Sequence, residues 1–175
     1  ELFFRIRGRR CTTRPMKGTR PRGRWPAEDV HLAEELRQSA KDRAENVMVT
    51  DLVRNDLGRI SQVGSVEVAK LWATECYPTL WQLTSTVESN LRAGVGLAEL
   101  ATALFPCGSI TGAPKVRTME IIAELEREPR GIYTGCIGYI SPGGEACFNV
   151  AIRTAHLDRE KGQLEFGVGG GITWG

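Results

Sequence analysis

A single lysine stands between paired backbone constraints in Arg14-Pro15-Met16-Lys17-Gly18-Thr19-Arg20-Pro21-Arg22-Gly23. Pro15 and Pro21 each lock a φ angle, while Gly18 and Gly23 open conformations closed to other residues. The stretch reads as a rigid, basic turn. A rigid backbone can aim one amine at one atom, which makes Lys17 a candidate nucleophile. The same composition also describes an ordinary basic surface turn.

Three further groups could do chemistry. Lys41, Asp42 and Glu45 fall on one helix face at three- and four-residue spacing. They form either a solvated ion-pair face or a carboxylate offered to a divalent cation; magnesium is often held by one or two carboxylates plus substrate oxygens. The run from Gly108 to Lys115 leads into a helical pattern, with Thr111 as its expected N-cap. Free amides at such a helix start could hold an anion, or the run could be a plain loop. Gly167 to Gly171 ends a strand-like run. Ile172 stands where a G-x-G-x-x-G fingerprint needs its last glycine, so dinucleotide binding is not indicated. Glycines there mark a bulge or a ligand lying on the backbone. The two histidines, His31 and His156, have no metal-ligand spacing.

The elements that must position these groups are legible from periodicity. Residues 2–7 and 10–14 read as strands of a hairpin about Gly8. Pro26-Ala27-Glu28-Asp29 opens a helix, with proline and acids where a helix start favours them. Leu32, Leu36 and Ala40 share its inner face, and the pattern runs on without a break through Val49. Arg54, Asp56 and Arg59 are expected to form an ion-pair network fixing the helix end near Gly58. Residues 66–73 and 77–87 read as strands and 97–105 as a helix stopped by Pro106. Beyond Lys115, Val116, Met119, Ile122, Ala123 and Leu125 make an apolar stripe. Residues 131–141, 145–157 and 163–169 read as an antiparallel meander.

Composition bounds the partners. The chain has 175 residues, enough for one domain with a real core, and no internal repeat. Residues 1–24 carry nine of the 23 cations and one acid, about +8, against about −6 for the rest. A basic segment on an acidic body suits an anionic partner, either nucleic acid or a small carboxylate or phosphate. The five cysteines are odd in number and scattered, with no C-x-x-C pair. That predicts free thiols in a reducing, cytoplasmic setting, with neither a disulfide frame nor a structural zinc. No apolar run is long enough to span a membrane. Both ends read as cut, from Glu1 to Ile172-Thr173-Trp174-Gly175, so residues 1–175 are expected to be part of a larger protein, or its ordered part.

Seven motifs in order carry a resemblance. They are Pro15-Met16-Lys17-Gly18-Thr19, Lys41-Asp42-Arg43-Ala44-Glu45-Asn46, Asp51-Leu52-Val53-Arg54-Asn55-Asp56-Leu57-Gly58-Arg59, Thr111-Gly112-Ala113-Pro114-Lys115, Arg130-Gly131-Ile132-Tyr133-Thr134-Gly135, Ala151-Ile152-Arg153-Thr154 and Gly169-Gly170-Gly171-Ile172. Across its whole length the chain resembles the chorismate-utilising enzymes, which comprise the large subunits of anthranilate and aminodeoxychorismate synthases and the isochorismate and salicylate synthases. Lysine before Gly-Thr is similar to the aminodeoxychorismate branch, where anthranilate synthases carry alanine.

The resemblance implies an α+β fold, about half of a layered sandwich with antiparallel sheets inside and helices outside. It implies conversion of chorismate and ammonia to 4-amino-4-deoxychorismate, for p-aminobenzoate and folate, with a partner or fused glutamine amidotransferase supplying the ammonia. Lys17 would attack C2 and Glu1, sixteen residues earlier, would be the general acid. Glu45 would ligate Mg²⁺ on the ring carboxylate. Tyr133, Arg153 and the amides of Gly169 and Gly171 would hold the other carboxylate, Gly18 and Thr19 would line the ring, and Ser109 would face the substrate. Gln82 stands where many relatives have histidine, and glutamine cannot shuttle a proton at neutral pH. The family's further acidic ligands, on a helix after the glycine strand, lie beyond Gly175, so this piece alone is expected to bind Mg²⁺ and chorismate poorly. Competing expectations are anthranilate, isochorismate or salicylate synthesis and, from another class, a nucleic-acid-binding module built on the basic segment.

Overall fold

Period-two alternation builds the first hairpin. β1 (Leu2–Arg7) buries Phe4 and Ile6 and exposes Arg5 and Arg7, and β2 (Arg10–Arg14) buries Cys11 and Thr13. The computed structural model describes residues 1–172; Thr173 to Gly175, read from the sequence as a cut end, lie outside the described residues.

The basic stretch at residues 14–23, expected as a turn, is mostly a strand, β3 (Met16–Pro21). The cause is the length of β5 (Leu80–Asn90), whose eleven residues accept two partners end to end. Its second half pairs with β2, Cys11 opposite Ser89 and Thr13 opposite Val87. Its first half pairs with β3, Met16 opposite Thr84 and Thr19 opposite Gln82. Pro15 sits at the joint, where it has no N–H to lose, and its carbonyl accepts from the Ser85 amide at 3.0 Å. β4 (Glu67–Cys76) covers the other side of β5.

Two helices pack on this sheet. The predicted long helix is broken at Ser39 into α1 (Pro26–Gln38) and α2 (Ala40–Gly58). Ser39 leaves helical geometry with ψ 111°, and its hydroxyl accepts from the Asp42 amide, an N-cap that the apolar pattern concealed. α2 buries Val49, Val53 and Leu57 in one core with Phe4, Ile6 and Val87. Each such side chain contributes about 1.5–3 kcal/mol relative to exposure. Asn46, fully buried, donates to the Leu83 carbonyl and accepts from the Ser85 hydroxyl, which fixes α2 on β5.

α3 (Leu97–Leu104) ends where expected. The next helix does not start at Thr111. A single turn, α4 (Gly108–Thr111), closes first, and α5 (Lys115–Leu125) begins after Pro114. The Thr111 hydroxyl donates back to the Cys107 carbonyl at 3.1 Å and does not cap α5. No residue of α5 is buried, and its stripe residues Val116, Met119 and Leu125 are exposed. Lys115 ties the helix down instead. Its Nζ lies 2.5 Å from Asp56 on α2 and 3.1 Å from the Leu104 carbonyl. The expected Arg54–Asp56–Arg59 network is therefore corrected: Arg54 pairs with Asp51 on the surface, and Asp56 turns inward to Lys115.

The predicted meander is two hairpins. β6 (Cys136–Ile140) and β7 (Ala146–Val150) extend the main sheet beside β1, giving the order β3-β5-β2-β1-β7-β6. β8 (Ala155–Asp158) and β9 (Gln163–Phe166) pair separately. Residues 131–135 and 151–154, expected in strands, form a turn and a bend. Thr134 and Arg153 have φ of 64° and 50°, which breaks extended backbone. All described pairings are antiparallel, so the α+β class stands. No described helix is long and apolar enough to cross a membrane.

The N-terminal charge is largely neutralised within the fold. Arg10 pairs with Glu88, Arg14 with Glu75, Arg20 with Glu35 and Asp42, Arg22 with Asp29, and Arg24 with Glu28. Arg22 holds the Asp29 carboxyl well below the usual range despite some burial, with help from the Gly23 amide and the Trp81 indole. Lys17 makes no ion pair among the described residues.

Candidate active site

Lys17 is aimed by an irregularity in β3. Three steps from Met16 to Thr19 oppose two steps on β5, from Thr84 to Gln82. The extra residue makes a bulge at Lys17–Gly18, and bulges re-aim side chains. Gly18 takes φ 90°, and a Cβ there would fall 2.9 Å from the Asp42 side chain. Both its conformation and its crowding demand glycine. Gln82, buried in β5, locks the bulge: its amide donates to the Gly18 carbonyl at 2.9 Å and accepts from the Thr19 hydroxyl at 3.2 Å. In the sequence Gln82 raises only the question of proton transfer. Its observed role is to hold the backbone beside the lysine, and a polar residue amid the apolar pattern of a strand was the available signal.

The Glu1 carboxyl feels the Lys17 charge without forming an ion pair with it. The Val150 amide donates to the Glu1 carbonyl, so the end of β7 positions it. Burial pushes the Glu1 carboxyl above its ordinary value of 4.5. A hydrogen bond from Ser109, the positive charge of Lys17 and the Met16 backbone offset part of that rise. Cys107 completes the surroundings, its sulfur 3.9 Å from Glu1 Oε1 and 3.3 Å from Ser109 Oγ. Burial, with the Glu1 charge beside it, pushes the Cys107 thiol up to about 12, so the thiol stays protonated. Ser109 of α4 thus reaches Glu1 at the start of β1, and Lys17 of β3 acts on Glu1 through its charge.

Residues 167–169, expected to end the last strand, lie outside β9, which stops at Phe166, and the Lys17 amine reaches toward the irregular glycine run that follows. A Cβ on Gly171 would lie 3.8 Å from Lys17 Nζ. Two residues earlier, a Cβ on Gly169 would sit 2.5 Å from the Tyr133 hydroxyl, so only glycine lets the ring lie there. Tyr133 and Arg153 are carried on segments bonded to each other: the Thr134 amide donates to the Ala151 carbonyl, and the Ala151 amide to Gly135, each at 2.9 Å. Arg153 itself is exposed.

Glu45 stands on α2, partly exposed, 4.0 Å from the Lys41 amine. Asp42, one turn earlier on the same helix, lies against Gly18 and pairs with Arg20. Two carboxylates one turn apart suit magnesium, which takes one or two protein carboxylates and keeps the rest of its shell as water or substrate. Among the described residues no group of three or more histidine, cysteine, aspartate or glutamate side chains is placed to hold a metal ion.

A lysine amine near Gly171 and a buried carboxyl that feels its charge form the candidate site. The chain belongs to the chorismate binding enzyme family, whose description matches residues 1–175 throughout. It is 49% identical over 173 residues to the aminodeoxychorismate synthase of Streptomyces griseus, covering 98% of this chain and 24% of that protein. It is 47% identical over 154 residues to anthranilate synthase component 1 of Streptomyces coelicolor, covering 88% and 30%. Among solved structures, anthranilate synthase component I from Streptococcus pneumoniae superimposes with a TM-score of 0.78 at 38% identity, covering 89% of this chain and 34% of that one. The chain thus spans between a quarter and a third of the length of these relatives.

Proposed function

We propose that this chain is the amine-bearing part of an aminodeoxychorismate synthase large subunit, acting on chorismate with ammonia delivered by a glutamine amidotransferase. The observation that carries the reading is the Lys17 amine, held on a bulge and free of any ion pair among the described residues, with Glu1 and Gly171 beside it. The relative from Streptomyces griseus bears that name.

The chemistry follows from these groups. The neutral Lys17 amine bonds to C2 of chorismate, both double bonds of the ring diene shift by one position, and the C4–O bond breaks. Glu1 gives its proton to the departing hydroxyl, which leaves as water; hydroxide alone is a poor leaving group. Burial keeps Glu1 protonated to a higher pH than a surface carboxyl and so suits it to this step. Ammonia then bonds to C4, both double bonds shift back, the C2–N bond breaks to free the neutral Lys17 amine, and the surplus proton of the new ammonium returns to Glu1. Tyr133, Arg153 and the amides of Gly169 and Gly171 would hold one substrate carboxylate, the arginine by a two-pronged fork. Ser109 would orient Glu1 and meet the substrate, while Gly18 and Thr19 line the ring. Magnesium held by Glu45, with Asp42 beside it, would neutralise the other carboxylate.

Mass spectrometry of the full-length protein with chorismate tests this. The expected result is an adduct on Lys17 that is absent in Lys17→Ala. Anthranilate synthesis is the second reading, favoured by 47% identity to the Streptomyces coelicolor enzyme. Product analysis with chorismate, Mg²⁺ and ammonium separates the two: anthranilate without a Lys17 adduct refutes the proposal.

A further inference from the structure

The Thr13 hydroxyl is out of place. Thr13 is 3% exposed on the inner face of β2, and its Oγ1 meets no hydrogen-bond partner among the described residues. Native proteins leave few buried hydroxyls in that condition. Thr13 lines a small cavity of about 10 Å³ whose other polar walls are Glu1, Asp56 and Cys107; the remaining lining is mostly apolar. That volume is about one water, and a buried water needs two to four polar partners. A hydrated metal ion is too large for it. An anion is disfavoured by two carboxyl groups at the walls. A water, which both donates and accepts, suits a hydroxyl on one side and carboxyls on the others.

We infer that Thr13 binds one buried water behind Glu1, linking the Glu1 carboxyl to the Asp56–Lys115 pair, and that Thr13 is thereby a positioning residue for Glu1. The Lys115 amine holds Asp56 from α5, so the water joins β2, α2 and the approach to β1 at one point. The Thr-Gly-Ala-Pro-Lys motif thereby gains a structural role, because its lysine fixes the far wall of the cavity. The positioning of Glu1 as an acid rests on the proposed function, whereas the water does not.

Two variants of the full-length protein test it. Valine matches threonine in shape but has no hydroxyl. If the hydroxyl were merely stranded, Thr13→Val would hold or raise Tm by removing an unpaired polar group. With a bound water the same change strips a partner, and Tm falls by about 2–4 °C. A high-resolution crystal structure should show solvent density within hydrogen-bond distance of Thr13 Oγ1, lost in Thr13→Val. The infrared band of the Glu1 carboxyl, isolated by subtracting the Glu1→Gln spectrum, should shift in Thr13→Val and return in Thr13→Ser. A dry cavity, an unshifted band or an unchanged Tm in Thr13→Val overturns the inference. A shifted band in a protein whose turnover survives Glu1→Gln supports the water and refutes only the acid assignment.

Discussion

On the proposed function Lys17 and Glu1 have separable roles, nucleophile and proton donor, and the difference is measurable. Lys17→Ala removes the nucleophile, so adduct and product should vanish together. Glu1→Gln leaves the nucleophile and removes the proton donor. The expected loss in kcat is about 10²–10⁴-fold, with adduct formation slowed in step, by rapid-quench mass spectrometry of the full-length enzyme. Glu1 also sets a pH dependence of stability. Its folded value is raised, so between 4.5 and that value the native state binds more protons than the unfolded one. Its contribution is therefore full below the ordinary carboxyl range and falls as pH rises through the raised value. Urea denaturation across that window should show a fall in stability that Glu1→Gln lacks; an identical fall in the variant would show that Glu1 is not the group responsible.

At the scale of elements, the bulge in β3 and the Lys115 anchor decide where the groups sit. Gly18→Ala meets two obstacles, a φ of 90° and a Cβ 2.9 Å from Asp42. It should push α2 from β3, lowering Tm and displacing Lys17 and the Asp42–Glu45 face together. A drop in turnover with unchanged Tm would contradict this account of the bulge. Lys115 and Asp56 are 12% and 6% exposed, so truncating one leaves the other charge buried. Lys115→Ala should cost about 3–5 kcal/mol, and replacing both with apolar residues of similar volume should recover much of it, as read from denaturant midpoints. A double variant as weak as the single one would mean that the pair holds α5 by something other than charge.

For the molecule as a whole, the candidate site is open. Gly171 lies near the Lys17 amine and Gly169 against Tyr133, yet Arg153, Gly169 and Gly171 are exposed, as are Leu157, Leu164 and Phe166 of the separate hairpin. Calorimetry of the 175-residue chain with Mg²⁺ and chorismate should give Kd weaker than about 1 mM, because few contacts are left to offset the cost of immobilising the ligand. Micromolar binding would show that the open site suffices. Ion pairing across the fold also changes what the basic segment means: arginines that read as a patch for a partner mostly meet carboxylates of the same chain.

Much of this was legible in the chain itself. Hairpin and helix patterns, the lysine held between prolines and glycines, and the ordered motifs need only local information: period-two or period-3.6 burial and residue types that chemistry demands; Glu1 as the partner of Lys17 came from the family resemblance. What the tertiary structure alone decided were the features set by pairing at long range. A lysine stretch flanked by prolines looks like a turn until β5, far along the chain, gives it a ladder. Asp56 looks like a partner for nearby arginines until α5 delivers Lys115 from the other side. The apolar stripe of α5 predicts burial, but which face is covered depends on what packs there, and neighbours distant in sequence leave no periodic trace along the chain.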